Sequence, residues 1–286
     1  MLEVSLAISS ALFYALTYIL SRLAAEDISP IQGAFINSAT VAAIMLPWSL
    51  FTVPVWEFLN PVLLWFVGIG VFIPGLARML HYAGLQRIGA SPAALIRGVG
   101  PLFSSSLAVL LLGETLSFEL ATGTGFIILG VAILSIRKEE MRSWALSGIV
   151  LSLAATMTFV FRDIIIRHSS PDVPYKTLAI LVMSLTSTVV MGAAWGQFEK
   201  RSITSVPRRG IILFVMVGIS TVFAQLALFH ALDVGRVVVV TPIIASQPLF
   251  VMLLSVFLPR GMEKITMFMI LGGAIIVLGG TIIGIG

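Results

Sequence analysis

The sequence is dominated by long apolar runs, and nearly all of its charged residues lie in the short gaps between them. Hydrophobic residues make up 58% of the 286 residues and charged residues only 10%, whereas soluble domains carry about 25% charged residues. So few charges cannot cover an ordinary water-exposed surface. Because a membrane-spanning helix needs about 20 apolar residues, the pattern predicts an all-α integral membrane protein. It argues against a soluble domain, a disordered chain and a membrane β-barrel.

Ten runs are long enough to cross a bilayer, and no gap between them is long enough to hold a soluble domain. The first run is about 20 residues long and lacks a basic segment before it, so we expect a retained helix rather than a cleaved leader. The predicted spans cover residues 4–24, 31–51, 61–82, 92–112, 118–136, 144–166, 176–197, 210–232, 237–258 and 265–285.

The two halves of the chain resemble each other. We therefore predict two repeats of five helices, residues 1–140 and 141–286, as the domains of the protein. Because five is an odd number, the second repeat crosses the membrane upside down relative to the first, as in many secondary transporters. The aligned pairs are Tyr82 with His230, Pro101 with Pro248, Glu114 with Glu263, Gly123 with Gly272, and Gly130 with Gly279.

Taken together, these features resemble the drug/metabolite transporter superfamily, specifically its ten-helix, EamA-like branch. The motifs that carry the resemblance are the segment 82–91 entering the fourth span, Pro101 within that span, and its exit Leu111-Leu112-Gly113-Glu114. The second half departs from the pattern, because residues 259–263 replace the Gly-Glu exit.

The resemblance implies a secondary transporter in the plasma membrane. It implies export or exchange of small polar metabolites, such as amino acids or organic anions, by alternating access. The expected partners are therefore an anionic or zwitterionic small molecule, the lipid bilayer and, as a common driving ion in this superfamily, protons.

One face of the first span is polar. Ser10, Tyr14, Thr17, Tyr18 and Ser21 follow helical spacing along a single stripe. A polar stripe facing lipid would be costly, so we expect it to line a water-filled cavity, with Tyr14 and Tyr18 as candidate substrate-binding residues. The alternative is hydrogen bonding between packed helices.

Other polar residues inside the spans complete the predicted substrate-binding set. Each has an alternative interpretation: an arginine can reach the interface or pair with an acid, and a lone histidine is most often a buried hydrogen-bonding residue. An anionic substrate would suit Arg97, because guanidinium grips carboxylate or phosphate with two parallel bonds. The remaining candidates are Arg78, His81, Tyr82, Arg97, Arg162, Gln225, His230 and Gln247.

Two prolines and several glycines carry predictions about movement and packing. Pro101 and Pro248 are matched by the repeat, so we expect kinks there that act as bending points for gating, or that are static. The fifth and tenth spans have regularly placed glycines, including Gly280-x-x-x-Gly284. Such faces suit close helix packing, within one chain in preference to a homodimer, so we expect a monomer or a homodimer.

The sequence lacks the residues that several classes of protein need for their function. The chain has no cysteine and no His-Glu-x-x-His or Gly-x-Ser-x-Gly motif, so we expect no metal, no cofactor and no catalytic residue. The net charge of +4 comes from membrane-flanking residues, so we expect no nucleic-acid binding. We predict that the protein is not an enzyme. The alternative function is an intramembrane enzyme acting on a lipid-linked substrate.

Basic residues are unequally divided between the two sides of the membrane. The loops after the odd-numbered spans carry most of them, Arg137, Lys138, Arg208 and Arg209 among them. The positive-inside rule therefore places both termini outside the cytoplasm. Members of the superfamily that the chain resembles are commonly drawn with both termini inside, so the orientation is an open conflict between the two lines of reasoning.

Overall fold

The chain is an all-helical bundle in which ten segments match the predicted spans. The computed structural model describes residues 1–24, 27–88, 96–97, 100–134, 146–173, 175–199, 206–255 and 267–285, and these contain no strand. The helices are α1 (Leu2–Leu23), α2 (Pro30–Thr52), α3 (Leu63–Ile88), α4 (Gly100–Leu112), α5 (Phe118–Leu134), α6 (Leu146–Ser169), α7 (Lys176–Phe198), α8 (Arg208–Val234), α9a (Val237–Ala245), α9b (Gln247–Ser255) and α10 (Met267–Ile285).

Six of these helices, α1, α2, α3, α6, α7 and α8, are long and apolar enough to cross a membrane. The other four spans contain shorter apolar helices. The predicted fold class, an all-α membrane protein with ten spans, is confirmed. The start of the fourth span falls partly on residues 89–95 and 98–99, which lie outside the described residues. So does the predicted boundary between the repeats, which therefore stays a prediction.

The third helix is longer and less regular than predicted. It continues to Ile88 instead of ending near residue 82, because Gln86 and Arg87 are polar but sit exposed at the helix end. Its middle turn, Ile73–Ala77, is a π-helical turn. Pro74 lies in this turn and has no N–H to donate, which explains why the regular ladder of hydrogen bonds is interrupted there.

The ninth span, predicted over 237–258 with a kink at Pro248, consists of two helices, α9a and α9b. Ser246 interrupts it, and the Ser246 amide donates to the Ile243 carbonyl at 3.1 Å in a tight turn. The cause is Pro248, which cannot donate an amide to residue 244 four positions earlier. Pro248 therefore lies in the first turn of α9b, where a missing N–H is harmless. Pro101 lies in α4, directly after residues 98–99, which are outside the described residues, so the kink expected there stays a prediction.

The contact between α5 and α10 shows that the repeats are inverted. A Cβ atom added at Gly123 would lie 2.7 Å from the Gly279 carbonyl oxygen, and one added at Gly130 would lie 2.6 Å from that of Gly272. Residue numbers rise along α5 while they fall along α10, so the two helices are antiparallel. Because the repeat aligns Gly123 with Gly272 and Gly130 with Gly279, a pseudo-twofold axis exchanges these two contacts.

The same pseudo-twofold axis relates other contacts between helices. Helix α1 packs on α8 just as its repeat partner α6 packs on α3, and α2 packs on α8 just as α7 packs on α3. At the residue level, Gly70 packs against Thr186, while Gly218, its equivalent, packs against Thr40. The result is a central space bounded by α1, α3 and α4 from one repeat and α6, α8 and α9 from the other.

The bundle has two ends, which we name by the chain. The N-terminal face carries the start of α1 and the turns that join α4 to α5, α6 to α7 and α8 to α9a. The opposite face carries the ends of α1, α3 and α7 and the starts of α2 and α8. Helix α2 starts at the opposite face with a capping box, in which the Ser29 hydroxyl and the Gln32 side chain each accept a backbone amide.

Candidate functional site

A narrow polar cavity of about 40 Å³ lies at the centre of the bundle, between the two repeats. Ligand pockets typically enclose about 300–1,000 Å³, so this cavity has room for a few water molecules at most. The structure therefore represents a conformation in which side chains fill the centre. The lining residues are Tyr14, Thr17, Tyr18, Ser21, Asn37, Arg78, His81, Tyr82, Leu85, Arg97, Phe159, Arg162, Thr221 and Gln247.

Three arginines from different parts of the chain line this cavity. Arg78 on α3 is 6% exposed and Arg162 on α6 is 4% exposed, and Arg97 precedes α4. The guanidinium carbon of Arg97 lies 4.5 Å from the centre of the Phe159 ring, and that of Arg162 lies 5.0 Å from it. The aromatic ring thus stabilises two neighbouring cations through cation–π contacts.

Only Arg162 is paired with a carboxylate among the described residues at the cavity. Its Nε and Nη2 donate to the same Asp163 oxygen at 2.9 and 2.7 Å. Arg78 instead donates to the neutral amide oxygen of Asn37 at 3.2 Å. No described acid forms an ion pair with Arg97, and residues 86–113 of the sequence contain no aspartate or glutamate.

Asn37 is the polar link between helices α2 and α3. Its amide oxygen accepts from Arg78, and its amide nitrogen donates to the Tyr82 hydroxyl at 3.1 Å. Asn37 is 1% exposed, so these two bonds fix its orientation in a site where water does not compete. Asn37 therefore holds both Arg78 and Tyr82 against the cavity.

Two tyrosine hydroxyls in the cavity wall have no hydrogen-bond partner among the described residues. They belong to Tyr14 and Tyr18, and both are buried. The Tyr18 ring packs edge-on against His81, with 4.8 Å between the ring centres. Burying an unpaired hydroxyl is costly, so these two groups are available to donate hydrogen bonds to a bound solute.

A second cavity of about 40 Å³ adjoins the first on the side of the N-terminal face. Arg97 and Phe159 line both cavities, so they form the partition between them. Pro101, Asp163 and the hydrogen-bonded pair Ser104 and Thr241, whose hydroxyls are 2.8 Å apart, line the second cavity. The two cavities together outline a path that is too narrow for an organic solute in this conformation.

A group of polar contacts between the two repeats, centred on Glu114, lies on the N-terminal face. Gly113, with a φ of 66°, ends α4 in a left-handed conformation that glycine adopts freely, and Glu114 follows it. The Glu114 carboxylate accepts the amides of Val237 and Val238 at 3.0 and 3.1 Å, capping α9a. Arg167 lies 3.7 Å from the same carboxylate. We call these groups the Glu114 clamp.

The clamp is extended by neighbouring polar contacts. Arg167 also donates to the carbonyl oxygens of Leu232 and Asp233 at 3.1 and 3.0 Å. Lys176 lies 2.9 Å from the Asp233 carboxylate. The sequence motif Leu-Leu-Gly-Glu at the exit of α4 thus has a structural role, which is to tie the first repeat to α6 and α9a of the second.

The structure brings eight of the ten predicted substrate-binding residues to the central cavity. His230 is exposed on α8, where its Nδ1 lies 2.8 Å from the Leu226 carbonyl oxygen, and Gln225 is buried but lines neither cavity. The sequence reasoning did not select Asn37, Phe159 or Thr221. The eight are Tyr14, Tyr18, Arg78, His81, Tyr82, Arg97, Arg162 and Gln247.

Among the described residues, no group of three or more histidine, aspartate or glutamate side chains is arranged to hold a metal ion. The side chains that face the cavities are instead hydroxyls, amides, guanidinium groups and aromatic rings. This set favours reversible binding of a polar solute.

Comparison with known proteins agrees with this arrangement. The EamA-like transporter family matches the chain twice, over residues 1–136 and 142–285. An uncharacterized transporter of Archaeoglobus fulgidus is 29% identical over 126 residues, which span 44% of this chain and 45% of that protein's length. One protein crystal structure superposes with a TM-score of 0.81 over 98% of this chain and 95% of the other, at 18% identity, and so shares the fold. The chain therefore belongs to the EamA-like transporter family and is a multi-pass membrane protein.

Proposed function

We propose that the protein moves a small organic anion across the plasma membrane by alternating access, as an exporter or exchanger, with the central arginine cavity as its binding site. The observation that carries the proposal is the convergence of Arg78, Arg97 and Arg162, from both repeats, on one closed central cavity. Among the described residues, no group of three or more histidine, aspartate or glutamate side chains that could hold a metal ion accompanies them.

The cost of placing arginine in a membrane supports a functional role for these three residues. A guanidinium stays ionised in proteins, and insertion scales put the cost of one near the bilayer centre at about 2.5–3.5 kcal/mol. Such residues typically mark substrate or ion pathways. Guanidinium groups bind carboxylate or phosphate through two parallel, charge-assisted hydrogen bonds.

A helix end adds to the positive character of the centre. Helix α9b begins at Gln247, which lines the first cavity. The N-terminus of a helix carries a partial positive charge and free amides, both of which favour anions. Broken helices that present their ends near the membrane centre are a recurring feature of transporters with inverted repeats.

The closed path supports movement of the repeats. A substrate cannot occupy about 40 Å³, so binding requires an opening of the wall that α3, α4, α8 and α9 largely provide. The Glu114 clamp holds the N-terminal face shut, and its release would open that side. Pro101 in the fourth span and Pro248 beside the break in the ninth span remain our candidates for the bending points.

Counterflow in proteoliposomes tests the proposal. Vesicles loaded with an unlabelled organic anion should accumulate the same labelled anion from outside, and product formation without translocation would instead support the alternative of an intramembrane enzyme. Arg97→Gln should abolish most of the counterflow while the protein stays folded and inserted. Arg209→Gln is the matched control, because Arg209 is a surface residue that pairs with Asp27 at 3.4 Å. If the Arg97→Gln variant shows the same counterflow as the unmodified protein, the central cavity is not part of the transport pathway.

A further inference from the structure

We infer that the transported solute is a dianion, either a dicarboxylate or a phosphate monoester. This inference rests on the proposed function, because it specifies the charge of the substrate at the same cavity. It is carried by the balance of charged groups around the two cavities and by the kind of hydrogen-bonding groups that face them.

The fixed charges around the two cavities leave an excess of two positive charges. Arg78, Arg97 and Arg162 contribute three, and Asp163 is the one carboxylate among the described lining residues. In a low-dielectric region an uncompensated charge is expensive, so the bound state of lowest free energy is the one whose ligand cancels this excess. A monoanion would leave one cation uncompensated, and a dianion leaves none.

The hydrogen-bonding groups also match an anion without an ammonium group. The three guanidinium groups can only donate hydrogen bonds, and the unpartnered hydroxyls of Tyr14 and Tyr18 can donate as well. An amino acid would need a carboxylate for its ammonium group, but Asp163 is already held by two hydrogen bonds from Arg162. The other described acids, such as Glu114 and Asp233, lie at helix ends on a face of the bundle.

The spacing of the cations suits one small ligand. Arg97 and Arg162 both contact the Phe159 ring, so their guanidinium carbons are separated by no more than the sum of two short distances, 4.5 and 5.0 Å. Arg78 lines the same cavity of about 40 Å³ as Arg97 and Arg162. A single small molecule can therefore reach more than one guanidinium, either through two carboxylates or through the several oxygens of one phosphate.

The experiment compares solutes that share a shape and differ in charge. At pH 7.5, unlabelled methyl phosphate and succinate are dianions, whereas their near-isosteric partners, methyl sulfate and succinamate, are monoanions, and alanine is a zwitterion. Each is tested for binding, by the thermal shift of the purified protein, and for counterflow in proteoliposomes. We expect one dianion or both to bind roughly 10- to 100-fold more tightly than the matched monoanion, the range expected of an additional charge-assisted contact. Which dianion binds distinguishes a dicarboxylate carrier from a phosphate-ester carrier.

Variants test whether the selectivity comes from the charge balance. Arg97→Gln lowers the excess from two positive charges to one, so the preference for the dianion over the matched monoanion should fall by about tenfold. Arg97→Lys keeps the charge and should keep the preference, even if all affinities fall. If Arg97 has a purely structural role, its substitution should weaken the binding of all solutes equally. The ratio of dianion to monoanion affinity would then stay unchanged, which would overturn the inference.

The outcomes separate this inference from the proposed function. If alanine exchanges at least as fast as the dianions, or a monoanion at least as fast as its matched dianion, the transporter proposal stands. The same result refutes the inference that the substrate is a dianion. Binding of dianions without counterflow of any solute supports the dianion site and refutes transport through it. If no solute in the series binds or exchanges while the protein is folded, both claims fail.

Discussion

The Glu114 clamp should control which side of the membrane the cavity faces. Its carboxylate is 7% exposed and accepts two backbone amides of the second repeat, at 3.0 and 3.1 Å. Glu114→Ala removes both bonds from the conformation that is closed at the N-terminal face. In the open conformation water would solvate the same groups, so the substitution changes the balance between the two conformations.

The size of the expected shift between the two conformations can be estimated from these contacts. Hydrogen bonds to a charged group contribute about 1.5–3 kcal/mol each when buried, and removing a helix cap costs about 0.5–2 kcal/mol. In the variant, water can hydrogen-bond to the two freed amides, which offsets part of this cost. The contact with Arg167 adds little to the cost because that side chain is 31% exposed. A net shift of about 2 kcal/mol, roughly 30-fold in the ratio of the two conformations, is expected.

Spin-label distances at the N-terminal face measure this shift. The chain has no cysteine, so Leu116→Cys and Asp172→Cys, both at exposed positions, can be labelled without further changes. In the Glu114→Ala variant the long-distance population between these labels should increase by about the predicted ratio, and in Glu114→Gln by less. Glu119→Gln, at an exposed residue on α5, is the control and should leave the distribution as it is. An unchanged distribution in a folded Glu114→Ala protein would refute the role of the clamp.

Four further outcomes are expected. Asn37→Asp converts the neutral partner of Arg78 into a competing anion, so the KM for a transported anion should rise roughly tenfold with little change in the maximal rate; an unchanged KM would contradict the positioning role of Asn37. Counterflow of methyl phosphate should fall as the pH drops from 7.5 to 5, because its second pKa is about 6 and only the dianion is favoured, whereas methyl sulfate should show no such fall. Gly279→Ala should destabilise the protein by about 1–3 kcal/mol, since its Cβ would lie 2.6 Å from the Gly123 carbonyl oxygen, whereas Gly280→Ala, with no atom within 4 Å, should be neutral or slightly stabilising in a thermal melt. A C-terminal reporter that is active only in the cytoplasm should be inactive if the termini lie outside, as the distribution of basic residues predicts, and strong activity would reverse the orientation.

Much of the fold could be predicted because membrane helices are specified by length and composition. The limits of α1, α2 and α7 lie within two residues of those expected from the apolar runs. The polar stripe of α1 also gave the correct interior face, since Tyr14, Thr17, Tyr18 and Ser21 all line the cavity. These features depend on local periodicity, which is visible in one segment at a time.

The missed features depend on residues far apart in the chain. Asn37 gains its meaning from Arg78 and Tyr82, which lie 41 and 45 residues away in the sequence. Phe159 is an apolar residue in an apolar helix, and only the two arginines above its ring distinguish it from core. In each case the informative contact is made across helices, and the sequence contains no periodic signal for it.

His230 shows the limit of reasoning from the repeat. It aligns with Tyr82, which faces the cavity, but His230 is exposed on α8. Repeats that share a backbone arrangement need not share the function of each position, because the two halves form different walls of a single site. The aligned glycines behave differently, because Gly123 and Gly130 make equivalent contacts with α10, and close backbone approach constrains both copies alike.

The most direct test of the account is whether the two faces of the bundle open in turn around the arginine cavity. One labelled pair, Leu116→Cys with Asp172→Cys, reports on the N-terminal face, and a second pair, Gln86→Cys with Arg208→Cys, reports on the opposite face; all four positions are exposed. Both distance distributions are measured in proteoliposomes with and without saturating methyl phosphate or succinate. The account predicts that conditions which lengthen one distance shorten the other, and that a transported anion changes the populations. Distances that stay fixed under every condition, or that lengthen on both faces together, would contradict it.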